Sequence, residues 1–585
     1  MFANSETKGH VAHVDEVSSS KHHDGPVNLG LDYENIEKRY WRSPRFLGTC
    51  LAIIFMANGL FIGYAIPVNI LNVIDADIGP SSNISLVTLI NTLCQGIFFI
   101  LVGSLSDAIG RRYFIIAGEL SGVLGAILGA TAKDINWLIG AGVFVGFAAA
   151  VQISYPLLVM EMVPNKYRFW GQGAISFMVL PTLGFGPLIG RVIVQNVHGS
   201  NGGWRFTYWL SAIVNGISLI LFVLFYFPPA FHDLQARKSR VKQALQVDYA
   251  GFGIYACAIV CLLLALTWGG QQDPWNSAKI IALLVLGCVG LIAFVLYEVY
   301  MPLADPILPM SLFKIRNYYL AVIIGAIAQM SYYALNVFWP THVSALYTTD
   351  NMKIGWLSST TGTALAIGEI VMGPVCHRIG HFRTQLVAAT TGLCIFGGLL
   401  GMANEHREGL AIACTAMSGF FVGWLELLSI VMAGLVVPPE KIGVAQAFHG
   451  STRAVTATVA VAIYLAVFDG RITVDLPREV VSFATSAGLP SSSTTDLLLG
   501  VANGTTAALE AVPGMNKTIL AAVGAGTKRG YAMSLSTTYL TSLAFGGLAL
   551  ITCFFIKDIS EYLTLFVNKK VDGTLHGEQS EEEKV

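Results

Sequence analysis

Apolar runs close to the roughly 20 residues that a helix needs to cross a hydrocarbon core of about 30 Å recur along almost the whole chain. Fourteen are readable, near 46–70, 86–106, 113–132, 137–160, 170–192, 207–229, 250–269, 278–300, 317–340, 354–376, 384–403, 409–437, 444–468 and 534–556. In lipid a backbone amide must find its partner within its own helix or in a closed barrel, so runs of this length predict transmembrane helices. Composition agrees, since 54% of the 585 residues are hydrophobic and only 12% are charged, far more apolar surface than a soluble core needs. The sequence predicts an all-α polytopic membrane protein with helices 1 to 14.

Orientation follows from charge. The polar first 45 residues lack an apolar run followed by a small-residue cleavage site, so the first span is expected to act as the insertion signal. With the amino terminus in the cytoplasm, about two thirds of the 35 Lys and Arg fall in cytoplasmic tails and loops. The three N-x-[ST] sequons, at Asn83, Asn503 and Asn516, then all lie in exterior loops as candidate glycosylation sites. Both termini are expected in the cytoplasm of a multi-pass plasma-membrane protein. All nine Cys sit in or beside apolar spans without paired spacing, which reads as packing; no metal site and no catalytic residues are expected.

Between helices 2 and 3 stands Gly103-Ser-Leu-Ser-Asp107-Ala-Ile-Gly110-Arg111-Arg112. A turn with one Asp and two Arg is too costly for hydrocarbon and marks a tight, water-facing corner. A shift of 270 residues places Gly103, Asp107 and Gly110 on Gly373, His377 and Gly380, also at a helix exit, which predicts two six-helix halves with an extra helix pair between them. The expected organisation is a tail 1–45, a first bundle 46–229, a cytoplasmic loop 230–249, inserted helices 7 and 8 over 250–300, a loop 301–316, a second bundle 317–556 with a long exterior loop 469–533, and a cytoplasmic tail 557–585. In helix 5, Gly184-Phe-Gly186-Pro187-Leu-Ile-Gly190 loosens the backbone and allows close helix approach.

Ionisable side chains at membrane depth are expensive and face a cavity or one another. Glu119, Glu369, Glu426, His449 and Arg453, with Gln152, are therefore candidates for proton or substrate handling. Glu426 and Arg453 lie at similar depths, roughly 16 and 14 Å from the inner ends of their helices at 1.5 Å per residue, so an ion pair is expected, either a fixed strut or a protonation switch. Tyr332, Tyr333, Trp339 and Trp424, with Gln95 and Gln329, are candidates to line a site for a ring-containing substrate.

The corner G-x-L-x-D-x-x-G-R-R resembles the signature loop between helices 2 and 3 of the major facilitator superfamily, and Glu161-Met-Val-Pro-Asn-Lys-Tyr-Arg168 resembles its helix 4 to 5 loop. The resemblance implies a cytoplasmic gate built from Gly103, Asp107, Gly110, Arg111, Arg112, Glu161 and Arg168. The helix 5 stretch looks like the exporters' motif, with Thr182 in place of an earlier Gly and Arg191 in place of the final one; Gly142 stands where the exporters' helix 4 motif has an Arg. From about residue 30 to 560, stretches such as Ile78-Gly-Pro-Ser-Ser-Asn, Trp268-Gly-Gly, Leu346-Tyr-Thr-Thr-Asp-Asn and Gly450-Ser-Thr-Arg453 resemble the fungal trichothecene efflux pumps, 14-helix relatives of the siderophore-iron transporters. This implies a major facilitator fold and export of a small toxin or secondary metabolite by proton antiport. It implies no bound cofactor, the proton gradient supplying the energy, and a monomer whose partners are its small-molecule substrate and the lipid bilayer, not nucleic acid. Proton-coupled uptake of ferric siderophores and a non-transporting receptor or sensor are the alternatives. No G-x-x-x-x-G-K-[ST] loop and no large soluble domain are present, which disfavours an ATP-driven pump or an enzyme.

Overall fold

The apolar runs begin where a side chain satisfies the first free amides of a helix. Ser43 accepts from the Phe46 amide at 3.2 Å, with Pro44 at the first helical position, and Asp134, Asp248, Ser277, Asp350 and Asn516 cap later helices in the same way. The computed structural model describes residues 31–32, 40–81, 83–197, 203–228, 248–270, 272–301, 303, 306–503, 506–564 and 566–567. Most of the expected tail 1–45, of loop 230–249 and of tail 557–585 lies outside the described residues, as do the side chains of Asp107 and Asn503.

The long helices are α1 (Pro44–Val68), α2 (Ile84–Ile109), α3 (Arg111–Ala130), α4 (Ile135–Gln152), α5 (Arg168–Asn196), α6 (Arg205–Phe225), α7 (Tyr249–Trp268), α8 (Ala278–Tyr300), α9 (Arg316–Leu346), α10 (Asn351–Ile379), α11 (Phe382–Leu400), α12 (Glu408–Leu435), α13 (Ile442–Ser486) and α14 (Lys517–Phe554). A short helix, Tyr155–Met162, continues α4 after a break. Among the described residues 12 helices are long and apolar enough to cross a membrane; α10 and α11, at the expected tenth and eleventh spans, fall outside that set. Both carry buried polar side chains, Ser358, Ser359 and Thr361 in α10 and Gln385 and Thr390 in α11.

Helices α1 to α6 pack on one another, as do α9 to α14, and the two groups meet along two seams, α5 with α10 and α2 with α13. The pair α7 and α8 leans through α7 on α2 and α13. The corner and its repeat are equivalent in space. Gly110 and Gly380 end α2 and α10 at φ +107° and +60°, where a side chain is strained. Gly103 and Gly373 lie at the two seams, where a Cβ on Gly103 would stand 2.9 Å from the Gly443 carbonyl and one on Gly373 2.8 Å from that of Phe169.

The first and last described segments of the chain lie on one face, here the terminal face. There Leu31–Asp32 (β1) pairs antiparallel with Phe566–Val567 (β2). The chain leaving α14 crosses from one helix group to the other: the Lys557 amide donates to Asn317 Oδ1 at 3.0 Å, Asp558 Oδ1 accepts from the Phe382 amide at 3.1 Å, and the Thr564 carbonyl accepts from the Lys166 amide at 2.9 Å.

On the far face the structure differs from the expected loop over 469–533. Helix α13 continues to Ser486, α14 starts at Lys517, and the short helices Thr494–Asn503 and Thr506–Glu510 lie between them. Leu476, Val480 and Ala484 recur at a spacing of four and, with Leu497, Ile519 and Val523, bury a small apolar core of their own. Gly530 lets the helices close, since a Cβ there would meet Leu476 Cα at 2.8 Å.

Candidate functional site

A cavity of about 120 Å³ lies between the two helix groups. Tyr64 of α1, Asn91 and Gln95 of α2, and Tyr155 line it from one side; Gln329, Tyr332, Tyr333 and Asn336 of α9, Glu369 of α10, Glu426 of α12 and Arg453 of α13 line it from the other. The structure thus gathers Glu369, Glu426 and Arg453 with Gln95, Gln329, Tyr332 and Tyr333. Arg453 Nη2 donates to Glu426 Oε2 at 2.7 Å, and Arg453 Nε and Nη2 donate to Gln329 Oε1 at 3.0 and 2.6 Å. Glu426 Oε1 is buried without a hydrogen-bond partner among the described residues. The Glu369 carboxylate accepts from Ser176 Oγ of α5, which ties the two groups together beside the cavity. Two carboxylates and one guanidinium line the cavity, so it has one more acidic than basic group.

Glu119 and Gln152 are not part of this cavity. They form a separate cluster inside the first group, where Gln152 Nε2 donates to Asn215 Oδ1 at 3.1 Å and lies 3.4 Å from both Glu119 oxygens. Gly59 makes room for it, since a Cβ there would lie 2.1 Å from Asn215 Oδ1. His449, one turn from Arg453, is buried against Gly325 and does not line the cavity. Two expected aromatic lining residues pack elsewhere: Trp339 Nε1 donates to the Leu357 carbonyl at 2.6 Å, and Trp424 stacks on Phe421. The sequence reading missed Tyr64, Tyr155, Asn91, Asn336 and Ser176. Asn91 and Asn336 were detectable as carboxamides within apolar runs, whereas a Tyr or Ser in a span has too many other uses to stand out.

The expected gate residues gather on the terminal face. Arg111 Nη1 pairs with Glu161 Oε1 at 2.6 Å, both nearly buried, joining α3 to the end of the α4 extension. Arg112 donates to the Val223 carbonyl at 2.8 Å and covers the Phe227 ring at 3.7 Å. Arg168 crosses between the groups, donating to the Gly434 carbonyl at 3.2 Å. In α5, Gly184 faces Thr363 of α10, while Gly186 and Gly190 face Ala65 and Ile66 of α1; Pro187 lies inside the helix. Of the sequons, Asn516 caps α14 through the Ile519 amide at 2.8 Å, and Asn83 precedes α2 without a side-chain cap. Among the described residues no group of three His, Cys, Asp or Glu is placed to hold a metal ion.

A family model described as the fungal trichothecene efflux pump (TRI12) matches residues 26–579. The trichothecene efflux pump TRI12 of Fusarium sporotrichioides is 30% identical over 532 residues, which is 90% of this chain and 88% of that protein. Its namesake in Trichoderma arundinaceum is 29% identical over 570 residues, 93% of this chain and 91% of that one. Among solved structures, the major facilitator proton:xylose symporter XylE bound to 6-bromo-6-deoxy-D-glucose superposes with a TM-score of 0.54 at 13% identity, over 89% of this chain and 98% of that one, a likeness of fold alone.

Proposed function

The chain belongs to the fungal trichothecene efflux pump family of the major facilitator superfamily, and from that premise we propose that it exports a small, partly apolar fungal toxin or secondary metabolite across the plasma membrane in exchange for protons. The terminal face is then cytoplasmic and all fourteen long helices cross the bilayer, a reading supported by the excess of Lys and Arg in the terminal-face loops.

The cavity carries this reading, because its aromatic walls and its ion pair stand at the junction of the two groups. Its volume of about 120 Å³ is below the roughly 300 Å³ of the smallest ligand pockets, so the α2–α13 and α5–α10 seams part before a ring-bearing cargo enters. Tyr64, Tyr155, Tyr332 and Tyr333 offer apolar faces and hydroxyls to such a cargo. A proton on Glu426 removes its charge and loosens its hold on Arg453, so protonation rearranges the hydrogen-bonding network that a cargo would meet, which is what coupling requires.

The test is expression in a fungal host lacking its own pumps, with labelled trichothecene accumulation measured with and without an uncoupler. Lower accumulation that the uncoupler abolishes is the expected result. Higher accumulation of a labelled ferric siderophore would reverse the direction, and binding without flux would make the protein a receptor.

A further inference from the structure

Toward the far face a second opening, of about 600 Å³, lies between the same two helix groups and shares no lining residue with the central cavity. Along α1 it begins one turn beyond the central cavity, at Asn69 against Ala65; along α5 it begins two turns beyond, at Arg191 against Leu183. Both linings carry carboxamides and charged groups, but the vestibule has none of the central cavity's tyrosines: it presents Asn69, Asn72, Gln195 and Asn351, with one cation, Arg191, and one carboxylate, Asp350.

Arg191 of α5 reaches across to α10. Its stem passes over Gly355, where a Cβ would lie 3.0 Å from Arg191 Cδ, and its Nη1 donates to Asn351 Oδ1 at 3.3 Å, spanning α5 and α10. Its Nε is buried without a hydrogen-bond acceptor among the described residues. A buried donor left unpaired is costly, and a shift of the Arg191 side chain that turns Nε to the vestibule would let an oxygen acceptor there relieve that cost. Asp350 Oδ1 is already engaged, accepting from the Met352 amide at 3.1 Å as the cap of α10. One positive and one negative group leave no net charge to select an ion, while Val73 and Val194 supply apolar wall.

We propose that this vestibule is a second cargo site, which takes an uncharged molecule with an apolar frame and several hydroxyl, ether or ester oxygens, and that Arg191 is the residue that selects it. The proposal deepens the transport reading and rests on it for its place in the cycle, as the last stop before release.

The test is equilibrium binding of a tritiated terpenoid bearing hydroxyl and acetyl-ester groups to the full chain in lipid nanodiscs. Two sites per chain are expected. The double variant Tyr332→Ala/Tyr333→Ala should retain one of them, and adding Arg191→Leu should weaken that one by about tenfold or more. Arg191→Lys keeps a charge and donors but not the Nε geometry; it should cost about threefold and serves if the Leu chain does not fold. A single site in the wild type, residual binding indifferent to both Arg191 variants, or no binding at all would overturn the proposal. Failure of the export reading shows separately, as unchanged cellular accumulation with two-site binding intact.

Discussion

Two buried ion pairs carry contrasting roles at the scale of single residues. Arg111 and Glu161 lie within one helix group, nearly buried and 2.6 Å apart, so removing one partner takes a close counter-charge from the other. Arg111→Leu is expected to cost about 3–5 kcal/mol, and Arg111→Leu/Glu161→Leu much less, in denaturant titrations of the reconstituted protein. Arg453 and Glu426 line a cavity instead, with Gln329 as a third member that keeps the guanidinium hydrogen-bonded when the acid changes state. Glu426→Gln should therefore leave a folded protein whose export no longer responds to an imposed pH gradient; a wild-type response would remove Glu426 from the proton path. That these two side chains meet was readable from their matching depth on consecutive helices. That Glu369 is held by Ser176 from the opposite group was not, because no local pattern tells which helix faces another 193 residues away.

At the scale of elements, glycine decides how closely helices meet. Within a helix Gly→Ala ordinarily gains about 0.5–1 kcal/mol. At Gly103 the added Cβ would stand 2.7 Å from Ala447 Cβ and 2.9 Å from the Gly443 carbonyl, so that gain is expected to be reversed and the α2–α13 seam held apart. Gly103→Ala should lose most export in cells at normal surface expression, whereas Gly140→Ala, with nothing within 4 Å of the new Cβ, should transport like the wild type. The repeat of Gly103 and Gly110 at Gly373 and Gly380 was legible in sequence because spacing survives without side-chain chemistry. The extension of α13 and α14 beyond the far face was not, because Ser, Thr and Gly in that stretch mask the four-residue recurrence that buries Val480 and Ala484.

Over the whole molecule, contacts distant in sequence lock each face. On the far face Asp77 Oδ2 accepts from Trp204 Nε1 at 2.9 Å and Arg205 Nη1 at 2.8 Å, which hold its carboxyl below the ordinary 3.8. A lowered folded-state value means that this contribution is complete above pH 3.8 and is lost as pH falls through the folded value. Wild type should therefore unfold at a higher temperature than Asp77→Asn at pH 6, with the difference narrowing below pH 3.8. On the terminal face Asn317→Leu removes both hydrogen bonds to Lys557 and should cost about 1–3 kcal/mol, read as faster proteolysis of the chain after α14. The apolar runs, the charged corners between them and the ionisable side chains within them were legible in the sequence, because hydrocarbon constrains those choices residue by residue, and 12 of the described helices are long and apolar enough to cross a membrane. Which of those side chains share a cavity was legible in the helix packing alone. Glu369, Glu426 and Arg453 converge while Glu119, Gln152 and His449 do not, because convergence depends on which helix faces turn to one another across the two seams, and small residues far apart in the chain set that approach.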